Sequence, residues 1–193
     1  KFDNVLNDQR QVIFSQRRNA MDSEQIYEYS NDFLNEIIDD LIDLKIKNLS
    51  NPKNNDFSNR LRLILGKKIE ENELENLKSL KDNDLKTRMI EKFEETRKNR
   101  IRILGEKDSK EIEKRIFLQT IDMNWTSHIQ YLEQLRQVIG LRSYGQRDPL
   151  IEYKKEAFEL FGNLLNKLKL DFITILINLE VKEKKQDEKK EAF

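Results

Sequence analysis

Cysteine is missing from the chain, and glycine, proline and histidine are scarce, at 5, 2 and 1 of 193 residues. Without cysteine the chain forms no disulfide and no thiolate metal site, which fits a reducing compartment. No apolar run approaches the ~18 residues that cross a bilayer, because Asp171, Thr174 and Asn178 interrupt the most apolar stretch. The N-terminus has neither an initiator methionine nor a signal-peptide pattern. We therefore expect a segment of a longer protein.

An excess of charge of one sign is also missing, since 36 Lys and Arg residues balance 36 Asp and Glu residues. Net charge therefore gives no argument for a nucleic-acid partner. Local cations do cluster, and they are Arg97, Lys98, Arg100 and Arg102, with Arg60 and Arg62 elsewhere. Acidic residues are interleaved with them, and no aromatic platform for stacked bases accompanies them. We expect no nucleic acid as a partner.

Charged and hydrophobic residues are abundant instead, and each class makes up 37% of the chain. Few helix breakers and little alternation of β-branched residues predict an all-α fold of long amphipathic helices. The expected architecture is a long antiparallel helical hairpin packed with a scaffold helix, plus an inserted small helical unit.

The longest regular pattern runs from residue 111 to residue 179 and predicts the hairpin. Its first helix repeats at steps of three and four through Leu118, Ile121, Trp125, His128, Leu132, Leu135, Ile139 and Arg142. The second opens at Asp148 and Pro149, a preferred N-cap followed by a residue suited to the first helical position. Its apolar face comprises Ala157, Phe161, Leu164, Leu168 and Ile175, widened by Phe158, Leu165, Phe172 and Leu176. The short connection predicts antiparallel packing.

The chain before the hairpin is predicted to hold five further helices. The helix over residues 2–20 has few apolar positions, so it needs the hairpin or an absent domain as a partner. A capping-box pattern at residues 22–25 starts the next helix, which is expected to end near Lys47. Residues 48–59 are rich in turn formers and predict a loop. Helices over 57–65, 71–80 and 84–104 follow, the last ended by Gly105.

A catalytic site is not indicated by any motif. The chain contains neither GxxxxGK[ST] nor GxGxxG. His128 cannot build a multi-histidine metal site, and it falls in phase with the apolar face, so we expect a packed, hydrogen-bonded core residue. Trp125 is expected in the core as well. Adjacent acids such as Asp39 and Asp40 lie about 100° apart on a helix and are expected to face solvent. We therefore expect no catalytic residue, metal or cofactor in this chain.

The turn of the hairpin is the candidate functional site. It consists of Arg142, Ser143, Tyr144, Gly145, Gln146 and Arg147. At 1.5 Å per residue it lies at the end of a lever about 40–50 Å long. Periodicity alone leaves two interpretations open, an ordinary exposed loop or a stiff hairpin whose aromatic tip contacts a partner.

Three stretches carry a longer and more specific pattern. Residues 118–128 read LQTIDMNWTSH, residues 135–153 read LRQVIGLRSYGQRDPLIEY, and residues 2–17 read FDNVLNDQRQVIFSQR. They resemble the SecA family, the ATP-driven motors of bacterial preprotein translocation, whose patterns are LQxxDxxWxxH, LRQxIxLRxYxQxDPxxEY and YDDVxxxQRxxIYxQR. The resemblance is strong over residues 2–18 and 111–165 and faint between them.

The resemblance implies a name for each part of the chain. Residues 1–21 would end the long helix of the helical scaffold domain, and residues 22–107 would be the helical wing domain. Residues 108–180 would be the two-helix finger of the scaffold domain, and residues 181–193 a charged tail or linker. The family's tip tyrosine corresponds to Tyr144. Three positions depart from the family pattern: Gly145 stands where Ala is common, and Phe2 and Asn4 replace Tyr and Asp.

The resemblance also implies a function. The tip would enter a SecY-type channel and contact unfolded preprotein, while ATP and Mg²⁺ would bind to nucleotide-binding domains of the same longer chain. The whole protein would be cytoplasmic, peripheral at the cytoplasmic face of the bacterial inner membrane and in contact with its acidic surface. The isolated segment would expose apolar patches and self-associate. A standalone helical scaffold or adaptor without motor activity is the alternative, and a P-loop encoded upstream of Lys1 would distinguish the two.

Overall fold

The structure is a computed structural model, and it describes residues 2–21, 24–50, 55–66, 69–140 and 148–182. Within these ranges the chain forms seven α-helices and no strand, which confirms the predicted all-α class. The helices are α1 (Phe2–Asn19), α2 (Ile26–Ser50), α3 (Asp56–Leu65), α4 (Glu71–Ser79), α5 (Asp82–Leu104), α6 (Glu106–Ile139) and α7 (Pro149–Asn178).

The predicted loop over residues 48–59 is wrong at both ends. Helix α2 continues to Ser50, whose hydroxyl donates to the carbonyl of Ile46 at 3.4 Å, so a turn-forming side chain bonds back onto the helix. Helix α3 starts at Asp56 because burial of Phe57 and Leu61 outweighs the turn preference of the polar residues beside them. Residues 51–54 lie outside the described ranges.

The start of α2 also differs from the prediction. The helix begins at Ile26, and the carbonyl of Gln25 accepts from the N–H of Tyr29 at 3.1 Å. Gln25 therefore takes the N-cap place that the capping-box pattern assigned to Asp22. Asp22 and Ser23 themselves lie outside the described residues.

The main core lies where the base of the hairpin meets helices α2 to α5. Large side chains without exposed surface meet there, among them Phe57 of α3, Phe93 of α5 and Phe172 of α7. Phe117 of α6 packs against Phe172 with ring centroids 4.9 Å apart. Because α6 and α7 both bury their base in this core, the hairpin is held firmly at that end.

A second, smaller core lies toward the other end of the hairpin. It joins α6 and α7 through Leu132, Leu135, Ile139, Tyr153 and Ala157. Phe2, Val5 and Leu6 of α1 pack against it, which confirms the hairpin as a partner of the first helix.

Two residues assigned to the apolar face of α7 are exposed instead. Phe158 is 78% exposed and Ile175 is 42% exposed. The buried face runs through Tyr153, Ala157 and Leu164, and Phe158 lies about 100° around the helix from Ala157. The sequence pattern made the face too wide because apolar residues also occupy solvent positions.

None of the helices in the described ranges is long and apolar enough to cross a membrane.

Candidate functional site

The predicted tip residues Arg142, Ser143, Tyr144, Gly145, Gln146 and Arg147 lie outside the described residues, so their role stays a prediction. The helix ends on either side of them are described. The buried face of α6 continues to Ile139. Asp148 caps α7 as predicted, and its Oδ1 accepts from the N–H of Leu150 at 2.8 Å. Pro149 occupies the first helical position.

The tip-facing part of the hairpin is braced by α1. The ring of Phe2 meets Tyr153 edge-on, with centroids 4.7 Å apart. Arg136 of α6 pairs with Asp3 at 3.2 Å, and its guanidinium lies 5.8 Å from the centre of the Phe2 ring. Burial raises the pKa of Tyr153, so its phenol stays protonated in this cluster. Three helices therefore hold the end of the hairpin that leads into the tip.

Halfway along α1, a polar contact joins it to both hairpin helices. The side-chain amide of Gln9 donates to the carbonyl of Ala157 at 3.0 Å, and its Oε1 lies 2.7 Å from Nε2 of His128. The imidazole packs against both Trp125 and Phe161, with ring centroids 5.5 and 5.8 Å away. Burial lowers the pKa of His128 and favours the neutral ring. The predictions of a packed, hydrogen-bonded histidine and a core tryptophan are both confirmed.

The base of the hairpin contains a buried ionic cluster that the sequence analysis missed. Glu113 of α6 accepts from Arg97 Nε at 3.1 Å and from Arg100 Nη2 at 2.5 Å. Ser30 of α2 donates to the other carboxylate oxygen at 3.0 Å, and Arg100 also donates to the carbonyl of Leu176 in α7 at 2.9 Å. The cluster ties together α2, α5, α6 and α7.

This cluster corrects the interpretation of the local cations. The sequence places Arg97 and Arg100 in one cluster with Lys98 and Arg102, but the guanidinium groups of Arg97 and Arg100 are buried and bonded to protein atoms. The sequence contains a sign of this buried cluster. Arg97 continues the spacing of the apolar residues in α5, and Glu113 continues the spacing of the apolar residues in α6. A charged residue in phase with a core face indicates a buried ion pair when an opposite charge faces it.

The hairpin also has an open side. A groove of about 680 Å³ runs between α6 and α7, lined by Met123, Tyr131, Leu160, Asn163, Leu164 and Lys167 among others. Met123 and Tyr131 are mostly exposed there. Ser127 and His128 also line the groove, where the Ser127 hydroxyl donates to the carbonyl of Met123 and Nε2 of His128 faces Gln9. In the part of the chain that the structure describes, no group of three or more His, Cys, Asp or Glu side chains could hold a metal ion.

Comparison with known proteins assigns the family. The family model described as SecA Wing and Scaffold domain matches residues 1–180. The chain belongs to the SecA family. It is 64% identical over 181 residues to the protein translocase subunit SecA of Pelagibacter ubique, covering 94% of this chain and 21% of that SecA. It is 35% identical over 184 residues to the protein translocase subunit SecA of Caulobacter vibrioides, covering 94% of this chain and 20% of that SecA. The chain thus spans about a fifth of the length of the SecA relatives it matches.

Proposed function

We propose that this chain is the part of a SecA-type translocase that carries ATP-driven motion to unfolded preprotein in a SecY-type channel. The observation that supports it best is the hairpin of α6 and α7, 34 and 30 residues long, whose neighbouring ends flank the predicted tip. At 1.5 Å per residue the two helices are about 51 and 45 Å long. Such a hairpin can transmit displacement over that distance if its base is rigid.

Rigidity at the base follows from the packing. Residues such as Phe117 and Phe172 are closely packed in the main core, and Glu113 adds buried ion pairs across the helices. A displaced base therefore moves the hairpin as one body rather than bending it. The brace from α1 extends that stiffness toward the tip.

The role that we propose for each segment follows the family resemblance. Residues 1–21 and 108–180 act as scaffold helix and finger, residues 22–107 as the wing, and residues 181–193 as a tail or linker. ATP and Mg²⁺ bind to nucleotide-binding domains elsewhere in the longer protein, so this segment is not itself an enzyme. The longer protein works at the cytoplasmic face of the inner membrane, where the tip contacts preprotein.

Substitution of the tip tyrosine tests the proposal. In the full-length protein that contains this chain, Tyr144→Ala is expected to lower the translocation rate of a preprotein into SecY-containing vesicles. Basal ATP hydrolysis is expected to remain, because no nucleotide contact is removed. The matched control is Tyr131→Ala, since Tyr131 is an exposed tyrosine of the same hairpin that precedes position 144 by 13 residues in the sequence.

An unchanged translocation rate in Tyr144→Ala would contradict the tip assignment. Equal losses in Tyr144→Ala and Tyr131→Ala would also contradict it, because the effect would then not be specific to the tip. If no preparation of the longer protein hydrolyses ATP, the alternative of a scaffold or adaptor without motor activity replaces the proposal.

A further inference from the structure

Helix α1 buries only two of its residues, Gln9 and Ile13. Phe2, Val5 and Leu6 add partly buried apolar contact with the hairpin. Apolar contacts are not directional, so they hold two helices together without strongly choosing how far one lies along the other. The buried amide of Gln9 behaves differently, because its hydrogen bonds require particular partners.

The hydrogen bonds of Gln9 also determine the state of His128. A backbone carbonyl only accepts, so the atom of Gln9 that faces Ala157 must be the amide nitrogen. The amide oxygen then faces Nε2 of His128 at 2.7 Å, and this nitrogen must carry the ring proton. The carbonyl of Ala157 thereby selects the tautomer of a histidine on the other hairpin helix.

Sliding α1 by one helical turn, about 5.4 Å, would break this arrangement. Gln9 and His128 are both buried in the observed register, and after such a slide they would lose each other and the Ala157 carbonyl as hydrogen-bond partners. A hydrogen bond in the native state contributes only a modest net stability, because the same groups would otherwise bond to water. A buried polar group without any partner costs more than that, so a displaced state that leaves such groups unpaired is disfavoured. A single buried polar contact in an apolar helix interface is known to specify register in this way.

We propose that Gln9 and His128 are positioning residues that set the register of α1 along both hairpin helices, so that α1 and the hairpin move as one body. This inference rests on the proposed function, in which the hairpin is the moving element. We call the contact of Gln9 with His128 and the Ala157 carbonyl the register lock. Surface ion pairs such as Asp3 with Arg136 support the same register but are exposed, and exposed pairs are weak.

Spin-label distance measurements test the register directly. The chain has no cysteine, so labels can be attached at Ser15→Cys on α1 and Lys154→Cys on α7, both exposed positions. The otherwise unchanged protein is expected to give one narrow distance distribution. Gln9→Leu combined with His128→Leu keeps the interface apolar, and we expect a broadened distribution with a second distance displaced by about one turn, 5.4 Å.

Two further variants make the result decisive. Ile13→Val removes apolar contact without touching the register lock, and it is expected to keep the single narrow distance. Gln9→Met alone is the reserve variant if the double variant does not fold, and it is expected to broaden the distribution as well. The register lock would be overturned by a narrow, unshifted distance in the folded double variant, or in Gln9→Met if the double variant does not fold.

Nitrogen-15 spectra of the imidazole give a readout that ordinary packing would not change. His128 is the single histidine, so its ring signals are unambiguous, and they are expected to show the proton on Nε2. In Gln9→Met the Nε2–H preference is expected to weaken toward a mixture of tautomers. A proton on Nδ1 in the unchanged protein would overturn the inference.

The functional consequence can be separated from the proposed function. In the full-length protein, Gln9→Met is expected to lower the preprotein moved per ATP hydrolysed while ATP hydrolysis continues. The distance and tautomer measurements do not involve translocation, so they decide the register lock even if Tyr144→Ala has no effect. Conversely, if Tyr144→Ala lowers translocation while the variants at Gln9 and His128 keep an unshifted distance, the result supports the tip assignment and overturns the register lock.

Discussion

Glu113→Gln is expected to lower the free energy of unfolding of this chain by about 3–5 kcal/mol. The change keeps the shape of the side chain but removes the negative charge between Arg97 and Arg100. All three side chains are buried, and Glu113 and Arg100 have no exposed surface. The substitution therefore leaves two guanidinium groups in the protein interior without a counter-charge from α6.

The contacts on each oxygen give the same magnitude. Oε1 of Glu113 accepts from Arg97 Nε and Arg100 Nη2, and Oε2 accepts from Arg97 Nη2 and the Ser30 hydroxyl. A Gln side chain retains one of these oxygens and presents N–H donors in place of the other. If the new nitrogen replaces Oε1, both arginine contacts on that oxygen are lost. If it replaces Oε2, the contact from Arg97 Nη2 is lost, while the Ser30 hydroxyl can turn to accept from the new N–H. One or two bonds to a charged group at about 1.5–3 kcal/mol each span a range that includes the about 3–5 kcal/mol expected for breaking a buried ion pair.

Urea unfolding followed by far-ultraviolet circular dichroism measures the loss. The midpoint is expected to fall while the slope with urea stays unchanged, because the surface exposed on unfolding is the same. Asp39→Asn is the matched control, since it removes the charge from an exposed 3.5 Å pair with Lys86, and we expect a change within about 0.5 kcal/mol. A loss below about 1 kcal/mol for Glu113→Gln would refute the ionic cluster as a structural tie.

Four other predictions concern two glycines, the core and pH. Gly66→Ala is expected to destabilise the fold, because φ is +87° and the new Cβ would lie 2.9 Å from Oδ1 of Asn178. Gly162→Ala, in a helix with open space around it, is expected to raise the free energy of unfolding by about 0.5–1 kcal/mol. Phe93→Ala removes a fully buried ring and is expected to cost about 3–5 kcal/mol. Burial lowers the pKa of His128 from its ordinary 6.5. As the pH falls, the histidine of the unfolded chain therefore binds a proton before the histidine of the folded chain does. The free energy of unfolding is expected to decrease below pH 6.5, by at most about 1.4 kcal/mol per pH unit.

The same urea titration checks each of these. Equal changes for Gly66→Ala and Gly162→Ala would contradict the role of backbone conformation at position 66. A loss below about 1 kcal/mol for Phe93→Ala would mean that the core can collapse around the missing ring. For His128, the comparison is His128→Leu, and a pH dependence that survives this substitution would assign the titration to other groups.

Much of the hairpin was predictable because helical periodicity is a local property. Residues three and four apart share a face wherever a helix forms, so the pattern through Ile121, Trp125 and His128 identified the buried side of α6 before any neighbour was known. The cap at Asp148 and the glycine after α5 were predictable for the same reason, since a helix end needs particular local residues.

The ends of α2 differ from the prediction through local bonds, but the other misplaced residues depend on distant neighbours. Phe158 has an apolar side chain but no helix beside it, whereas Arg97 and Glu113 are charged yet buried because they face each other across α5 and α6. The loop before α3 is shorter than predicted because Phe57 gains burial against other helices. Local helix preference does not reveal this burial, because it comes from contacts between residues far apart in the sequence.

The amino-acid sequence by itself determined the all-α class, the two long hairpin helices, the cap at Asp148 and, through its motifs, the resemblance to SecA. Each of these depends on spacing within one helix or on the identity of neighbouring residues. Tertiary packing decided the partners, namely that Gln9 of α1 meets His128 of α6 and that Glu113 receives two arginines from α5. Polar partners in a core are specified by three-dimensional position, because a buried donor is stable only where an acceptor from another helix reaches it.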